Sequence, residues 1–271
     1  MPKLNLLLLA ENTSSAMAAR DIACGFAAQG NCMLTCLQIT EHDSSVMIPT
    51  DSMISKQLVR NLDSKSGDND PASSDAACLA AHEVCYQEKT LSGPKYSVLS
   101  QEGEGNDLIL LGREGNFVEQ SDNAKEVINL MLEYRPRPLV IAPPNPPEGS
   151  DILVAYSGGP RSSRALQLFV LMGLAEGKQL HLLCVDRNEK AAQSKIDSIA
   201  QFLHRHEVRS TSTTIVSRAE PTDVILDKIR EKTPSMLVAG AKGTNGWRQT
   251  MFGSTGDYLI RHCPVPLFTC P

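Results

Sequence analysis

Three glycines near the carboxy terminus stand at a spacing that suits anion binding. Gly240, Gly243 and Gly253 fall in the pattern G-x2-G-x9-G-[ST], completed by Ser254 and Thr255. The apolar run Met236 to Ala239 precedes them and a helical stretch follows. Gly240 and Gly243 let the backbone turn tightly after a strand and bring N–H groups close to an anion. Gly253 opens the next helix, whose free N–H groups and positive dipole end attract phosphate. The hydroxyls of Ser254 and Thr255 add donors, and Lys242 and Arg248 add positive charge. The plain alternatives are a ligand-free turn at Gly240 and Gly243, a helix-start glycine at Gly253, and solvated charges at Lys242 and Arg248.

Other reactive side chains form no comparable set. His204 and His206 are two apart on a predicted helix, point in different directions and read as surface residues rather than metal ligands. The eight cysteines are scattered without C-x-x-C or metal-finger spacing, and read as reduced, mostly buried thiols. Cys32 and Cys36 share a helix face or lie in a strand. The alternating Ser210 to Thr214 reads as a half-exposed strand. No Ser-His-Asp set, paired carboxylates or metal ligands emerge from spacing, so no catalytic engine and no metal site is expected.

The elements that must position the glycines recur along the chain. DLILLGREG at Asp107 to Gly115 parallels SMLVAGAKG at Ser235 to Gly243, and PLVIAP at Pro138 to Pro143 parallels PLFTCP at Pro266 to Pro271, both offset by 128 positions. Leu4 to Ala10, a polar turn (Glu11 to Ser15) and an Ala-rich helix ending at Gly30 parallel Asp151 to Tyr156, Ser157 to Ser163 and a helix ending at Gly177. The larger offset there implies an insertion of roughly 18 residues in the polar segment Glu41 to Asp75, which has loop composition. PPNPPEG at Pro143 to Gly149 reads as a stiff linker. Two domains follow, residues 1–143 and 150–271.

The second half spells out its order. Strands are predicted at Ile152 to Tyr156, Gln179 to Val185, Ser210 to Val216, Met236 to Ala239 and Val265 to Thr269. Helices are predicted at Arg161 to Glu176, Lys190 to His206, Pro221 to Lys232 and Gly253 to His262. Strict alternation implies an α/β fold, a doubly wound, Rossmann-like parallel sheet in each half, with ligands outside the carboxyl ends of the strands.

Composition narrows the class. The hydrophobic fraction of 41% and charged fraction of 21% describe a folded globular protein. A net charge of −5, without a dense Lys/Arg run, argues against nucleic-acid binding. The apolar start, Leu4 to Ala10, is too short for a signal core or membrane span, so no membrane insertion and a cytoplasmic location are expected.

On these motifs the whole chain resembles a tandem pair from the universal stress protein family. The second half is similar to its ATP-binding branch, through the glycine spacing, ILVAY at Ile152 to Tyr156, AEP at Ala219 to Pro221 and PVPL at Pro264 to Leu267. The resemblance implies that Gly240, Lys242, Gly243, Gly253, Ser254 and Thr255 surround the phosphates and ribose of ATP, with or without Mg2+. It places Ala155, Ser157 and Val185, with Ala239 at the end of the fourth strand, along the adenine and ribose side. The family usually has an Asp where this chain has Ser157, which bears on affinity, metal dependence and nucleotide preference. Ser157 to Ser163, SGGPRSS, also resembles the pyrophosphate loop of ATP pyrophosphatases, with Arg161 replacing that motif's Asp.

The first half keeps Gly112 and Gly115 but has Lys125 and Glu126 where Gly-Ser is needed. Glu11, Glu114, Glu119 and Asp122 would repel a nucleotide, so this copy is expected to be degenerate. The resemblance also implies a pseudo-dimer, and homo-oligomers, paired through the terminal strands Leu139 to Ala142 and Val265 to Thr269. The leading expectation is a stress-response protein that binds ATP in its carboxy-terminal domain as a signal to a regulatory partner. At most it would hydrolyse ATP slowly or phosphorylate itself at Ser254 or Thr255. The alternatives are a nucleotide-free interaction protein and a pyrophosphatase-like enzyme.

Overall fold

The computed structural model describes residues 4–29, 32–40, 85–114, 127–134, 137–217, 219–241 and 254–271. The inferred insertion, Lys242 to Gly253 and most of the acidic loop of the first half lie outside them.

Leucine-rich or β-branched apolar runs form the inner strands, polar and largely exposed runs form the two edge strands, and together they make two sets of five. The first set is β1 (Leu4–Leu9), β2 (Cys32–Thr40), β3 (Tyr86–Ser92), β4 (Leu108–Gly112) and β5 (Leu139–Ala142). Its helices are α1 (Ser14–Ala28), α2 (Lys95–Gly103) and α3 (Val127–Tyr134). The second set is β6 (Ile152–Ala155), β7 (Gln179–Asp186), β8 (Arg209–Val216), β9 (Met236–Gly240) and β10 (Leu267–Cys270). Its helices are α4 (Pro160–Leu171), α5 (Glu189–Arg205), α6 (Pro221–Lys232) and α7 (Ser254–His262). Every predicted strand and helix of the second half is present.

α4 departs most from expectation, ending at Leu171 instead of running to Glu176. Gly173 and Gly177 adopt left-handed φ values of 78° and 69°, which unwind the segment into turns.

The strands make one ten-stranded sheet in the order β3-β2-β1-β4-β5-β10-β9-β6-β7-β8. Within each half all pairing is parallel, so each half is doubly wound about its first and fourth strands. The halves join through one antiparallel ladder, with Leu267, Phe268 and Thr269 opposite Ile141, Val140 and Leu139. The expected terminal-strand pairing therefore occurs inside the chain. It uses both edges of β5 and β10, so a second copy would have to dock elsewhere; the strands at the sheet's ends are β3 and β8.

Both faces of the sheet are covered by continuous apolar cores that cross this seam. One holds Leu6, Leu8, Val140, Val154, Phe169 and Phe268, and the other Leu7, Leu9, Ile141, Leu153, Leu237 and Leu267. Phe169 of α4 meets Phe268 of β10 edge to face, with ring centres 5.2 Å apart. Seven cysteines are described; all are free thiols and five are buried, with Cys36 in β2 and Cys85 exposed. Among the described residues no helix is long and apolar enough to cross a membrane.

Candidate functional site

In the second half, β6 passes the chain to β7 on one side, while β9 returns on its other side. The carboxyl ends of β6 and β9 therefore diverge into a crevice where the helices that follow them leave in opposite directions. A cleft of about 550 Å³ opens there, within the range of small-molecule sites. Ala155, Leu183, Val185, Ile225, Ala239 and Leu259 give it an apolar wall. Ser157, Arg161, Ser162 and Thr255 supply polar lining beside the starts of α4 and α7.

Of the residues expected from sequence, the cleft brings together Ala155, Ser157, Val185, Ala239, Gly240 and Thr255. Ala155 and Ala239 are register partners across the β6–β9 ladder. Ser254 begins α7, while Lys242, Gly243 and Gly253 lie outside the described residues. The sequence reading did not assign Leu183, Ile225 and Leu259 to the site, nor Glu220 and Pro221 at the start of α6. The usable signal was topological, since α6 follows a parallel strand whose carboxyl end lies at the same end of the sheet as the crevice.

The structure gives Gly240 a reason beyond turning. A Cβ there would lie 2.5 Å from the Ser162 nitrogen and 2.6 Å from the Arg161 carbonyl carbon. Only glycine lets the end of β9 touch the first turn of α4. Gly112 is held the same way, with its would-be Cβ 2.5 Å from the Ala16 nitrogen at the start of α1. Gly112 thus survives in the first half for packing, whatever that half binds.

The start of α4 is open. Pro160 occupies its first turn and lacks an N–H, and Gly159 offers no capping side chain. Among the described residues, the backbone N–H groups of Arg161 and Ser162 have no acceptor and the Arg161 guanidinium has no partner. The approach to this turn is ordered by hydroxyls. Ser157 Oγ lies 3.0 Å from Ser162 Oγ and accepts from Gly159 N–H at 3.3 Å, while Ser162 Oγ donates to the Gly159 carbonyl at 3.0 Å. Gly158, with φ of 74°, lies under the aliphatic stem of Lys195; an added Cβ would come within 2.7 Å of Lys195 Cγ. Lys195 Nζ is fixed in turn by Asp186 Oδ2 at 2.6 Å. This hydrogen bond holds the Asp186 carboxyl below its usual range and raises the Lys195 ammonium.

The start of α1 is closed. Thr13 Oγ1 accepts from Ala16 N–H at 3.1 Å, and Glu114 Oε2 accepts from Ser15 N–H at 3.0 Å. Glu114 N–H returns a 2.9 Å bond to Ser15 Oγ. A carboxylate of the chain thus sits where a helix start would hold an anion. Glu11, expected to add repulsion, is instead paired with Lys95 at 2.7 Å. What distinguishes this half is occupation by its own carboxylate rather than the summed repulsion expected from sequence; Glu119, Asp122, Lys125 and Glu126 lie outside the described residues.

The neighbouring Arg113 links the halves. Its Nη1 donates to the Cys263 carbonyl, just past the end of α7, at 2.8 Å. Burial lowers the Arg113 guanidinium and pushes the Cys263 thiol up to about 11. Both bear on the far end of the helix whose first turn lines the cleft.

The cleft suits a protein-held divalent cation poorly. Glu220 is the carboxylate among its described lining, and residues 242–253 contain no Asp or Glu. Among the described residues no three His, Cys, Asp or Glu side chains cluster as metal ligands. His204 and His206 are exposed, with the His206 ring packed against Phe202. Elsewhere, His181 accepts or donates between Asp151 Oδ2 at 2.8 Å and Thr211 Oγ1 at 2.7 Å. That chain joins the amino-terminal ends of β6, β7 and β8, opposite the cleft, and ties strands together.

A family model described as the universal stress protein family matches residues 150–271. Residues 150–271 form a universal stress protein domain. Universal stress protein YxiE of Bacillus subtilis (strain 168) is 27% identical over 144 residues, covering 44% of this chain and 94% of its own. A solved universal stress protein from Archaeoglobus fulgidus DSM 4304 covers 100% of this chain and 99% of its own, with a TM-score of 0.75 and 16% identity. The functionally unknown protein PA1789 from Pseudomonas aeruginosa PAO1 covers 98% and 92%, with a TM-score of 0.63 and 12% identity. The two solved structures extend the fold likeness over both halves. The universal stress protein assignment supports a stress-response role.

Proposed function

We propose that this universal stress protein binds ATP in its carboxy-terminal half, and that occupancy of the cleft is the signal it passes to a regulatory partner. One observation carries the reading: an apolar slot between strand ends runs directly to an uncapped helix start. An apolar wall takes a flat purine, and unpartnered N–H groups at a helix start take phosphate. The sequence spacing of Gly240, Gly243 and Gly253, followed by Ser254 and Thr255, supports the same reading. The Arg113 contact offers a route for the signal, because α7 has one end at the cleft and the other tied to the first half. The first half, with Glu114 on its helix start, is a regulatory or structural copy that takes no nucleotide.

Calorimetric titration with ATP tests this on the wild type and on Gly243→Asp, which places a carboxylate in the glycine motif. Micromolar binding by the wild type, lost in the variant, is the expected result. An absence of ATP binding by the wild type would overturn the reading and move attention to protein partners.

A further inference from the structure

Resting on that reading of the cleft, we infer that Arg161 replaces a divalent cation at the phosphate end, so that this site takes a metal-free nucleotide polyphosphate. Three observations converge. Arg161 is a half-buried cation on the first turn of α4, lines the cleft, and has no carboxylate or carbonyl partner among the described residues. The strand end beside it carries Ser157, whose hydroxyl is already engaged with Ser162 and Gly159. Residues 242–253, between β9 and α7 in the sequence, include Lys242 and Arg248 and no acid.

The chemistry separates two ways of neutralising a polyphosphate. Magnesium keeps several waters and is typically anchored by one or two carboxylates together with phosphate oxygens. Guanidinium groups cannot ligate it, hydroxyls without a carboxylate hold it weakly, and the Arg161 charge opposes it. A guanidinium instead offers a planar fork that matches phosphate oxygens and never deprotonates near neutral pH. Arg161 also sits where the two open N–H groups of α4 leave the helix, so its charge and the helix dipole act on the same anion. Glu220 is the exception in the lining. It is exposed at the start of α6, beside Pro221 and Ile225 of the cleft wall rather than on the α4 turn.

The test is titration of ATP and adenosine into the wild type, Arg161→Ala and Arg161→Lys, each in EDTA and in excess MgCl2. The wild type is expected to bind ATP in EDTA within about threefold of its affinity in magnesium, since the charge-assisted contacts replace the metal. Arg161→Ala should lose about ten- to a hundredfold in EDTA, the span of a lost charged hydrogen bond, and regain part of it with magnesium. Arg161→Lys should fall between, keeping the charge but not the fork. Adenosine affinity should be unchanged by either substitution, which separates a lost phosphate contact from a damaged cleft. Wild-type binding that vanishes in EDTA, or an Arg161→Ala variant that matches the wild type there, overturns the inference while leaving nucleotide binding intact. Wild-type protein that binds ATP in neither buffer overturns the nucleotide reading itself.

Discussion

The two halves of the chain repeat one fold but treat the first helix start in opposite ways. At α1 the first-turn N–H groups are taken by Thr13 and by the Glu114 carboxylate. At α4 those of Arg161 and Ser162 have no acceptor among the described residues, and the Arg161 side chain stands beside them. The position that is Glu114 after Gly112 is Lys242 after Gly240, a reversal of charge at matching places in the repeat. The glycines that bring strand and helix together are nevertheless kept in both halves. One requirement is therefore architectural and shared, and the other, which in the proposed function concerns the ligand, differs. A helix start can be filled from within while the fold around it stays the same.

The largest effect expected is on the shared requirement. Gly112→Ala and Gly240→Ala should each destabilise by about 2–3 kcal/mol in denaturant unfolding, because the new methyl group meets backbone atoms that cannot step aside. If Gly240 served only a ligand, Gly240→Ala would be neutral in unfolding, and the parallel with Gly112 would break. Next is Arg113→Ala, which removes a half-buried guanidinium from the Cys263 carbonyl and should cost about 1–2 kcal/mol. Its counterpart after Gly240 is Ala241, which makes no such bridge, so the loss also measures how far the halves support one another.

A smaller contrast addresses the helix starts themselves. Glu114→Ala should cost about 0.5–1 kcal/mol, since Glu114 is exposed and its contact with the α1 dipole is partly screened. Arg161→Ala should shift stability by less than about 0.5 kcal/mol, as expected for a side chain without a partner among the described residues. Equal losses would mean that α4 is not open in the way proposed.

The smallest effect is a pH dependence confined to the second half. The Asp186 carboxyl is held below its usual range by Lys195, so its contribution is full above its unfolded value, about 3.9. It is lost as pH falls through the lower folded value. Wild type and Asp186→Asn should therefore converge in melting temperature as the pH falls below about 4, and stay apart at neutral pH. A gap that persists in acid would assign the effect to packing against Gly158 rather than to charge.

Much of this was legible in the sequence because strand-forming runs and glycine turns are local. LILLG and MLVAG carry their own burial pattern, and the offset between them exposes the repeat. The pairing of Leu139–Ala142 with Leu267–Cys270 was also foreseeable, since two short apolar terminal strands need partners. The end of α4 was not, because whether Gly173 and Gly177 terminate or ride within a helix depends on the turn that follows. Nor was the role of Glu114. Its acidity is visible in the sequence, but its hydrogen bond to Ser15 links residues 99 positions apart. The apolar wall formed by Leu183, Ile225 and Leu259 depends in the same way on which strand ends the topology brings together.

The asymmetry between the halves is tested most directly by native mass spectrometry of the full chain with excess ATP, counting nucleotides per chain. The account predicts one for the wild type and none for Gly243→Asp. Two nucleotides on the wild type, or one that persists in Gly243→Asp, would contradict it.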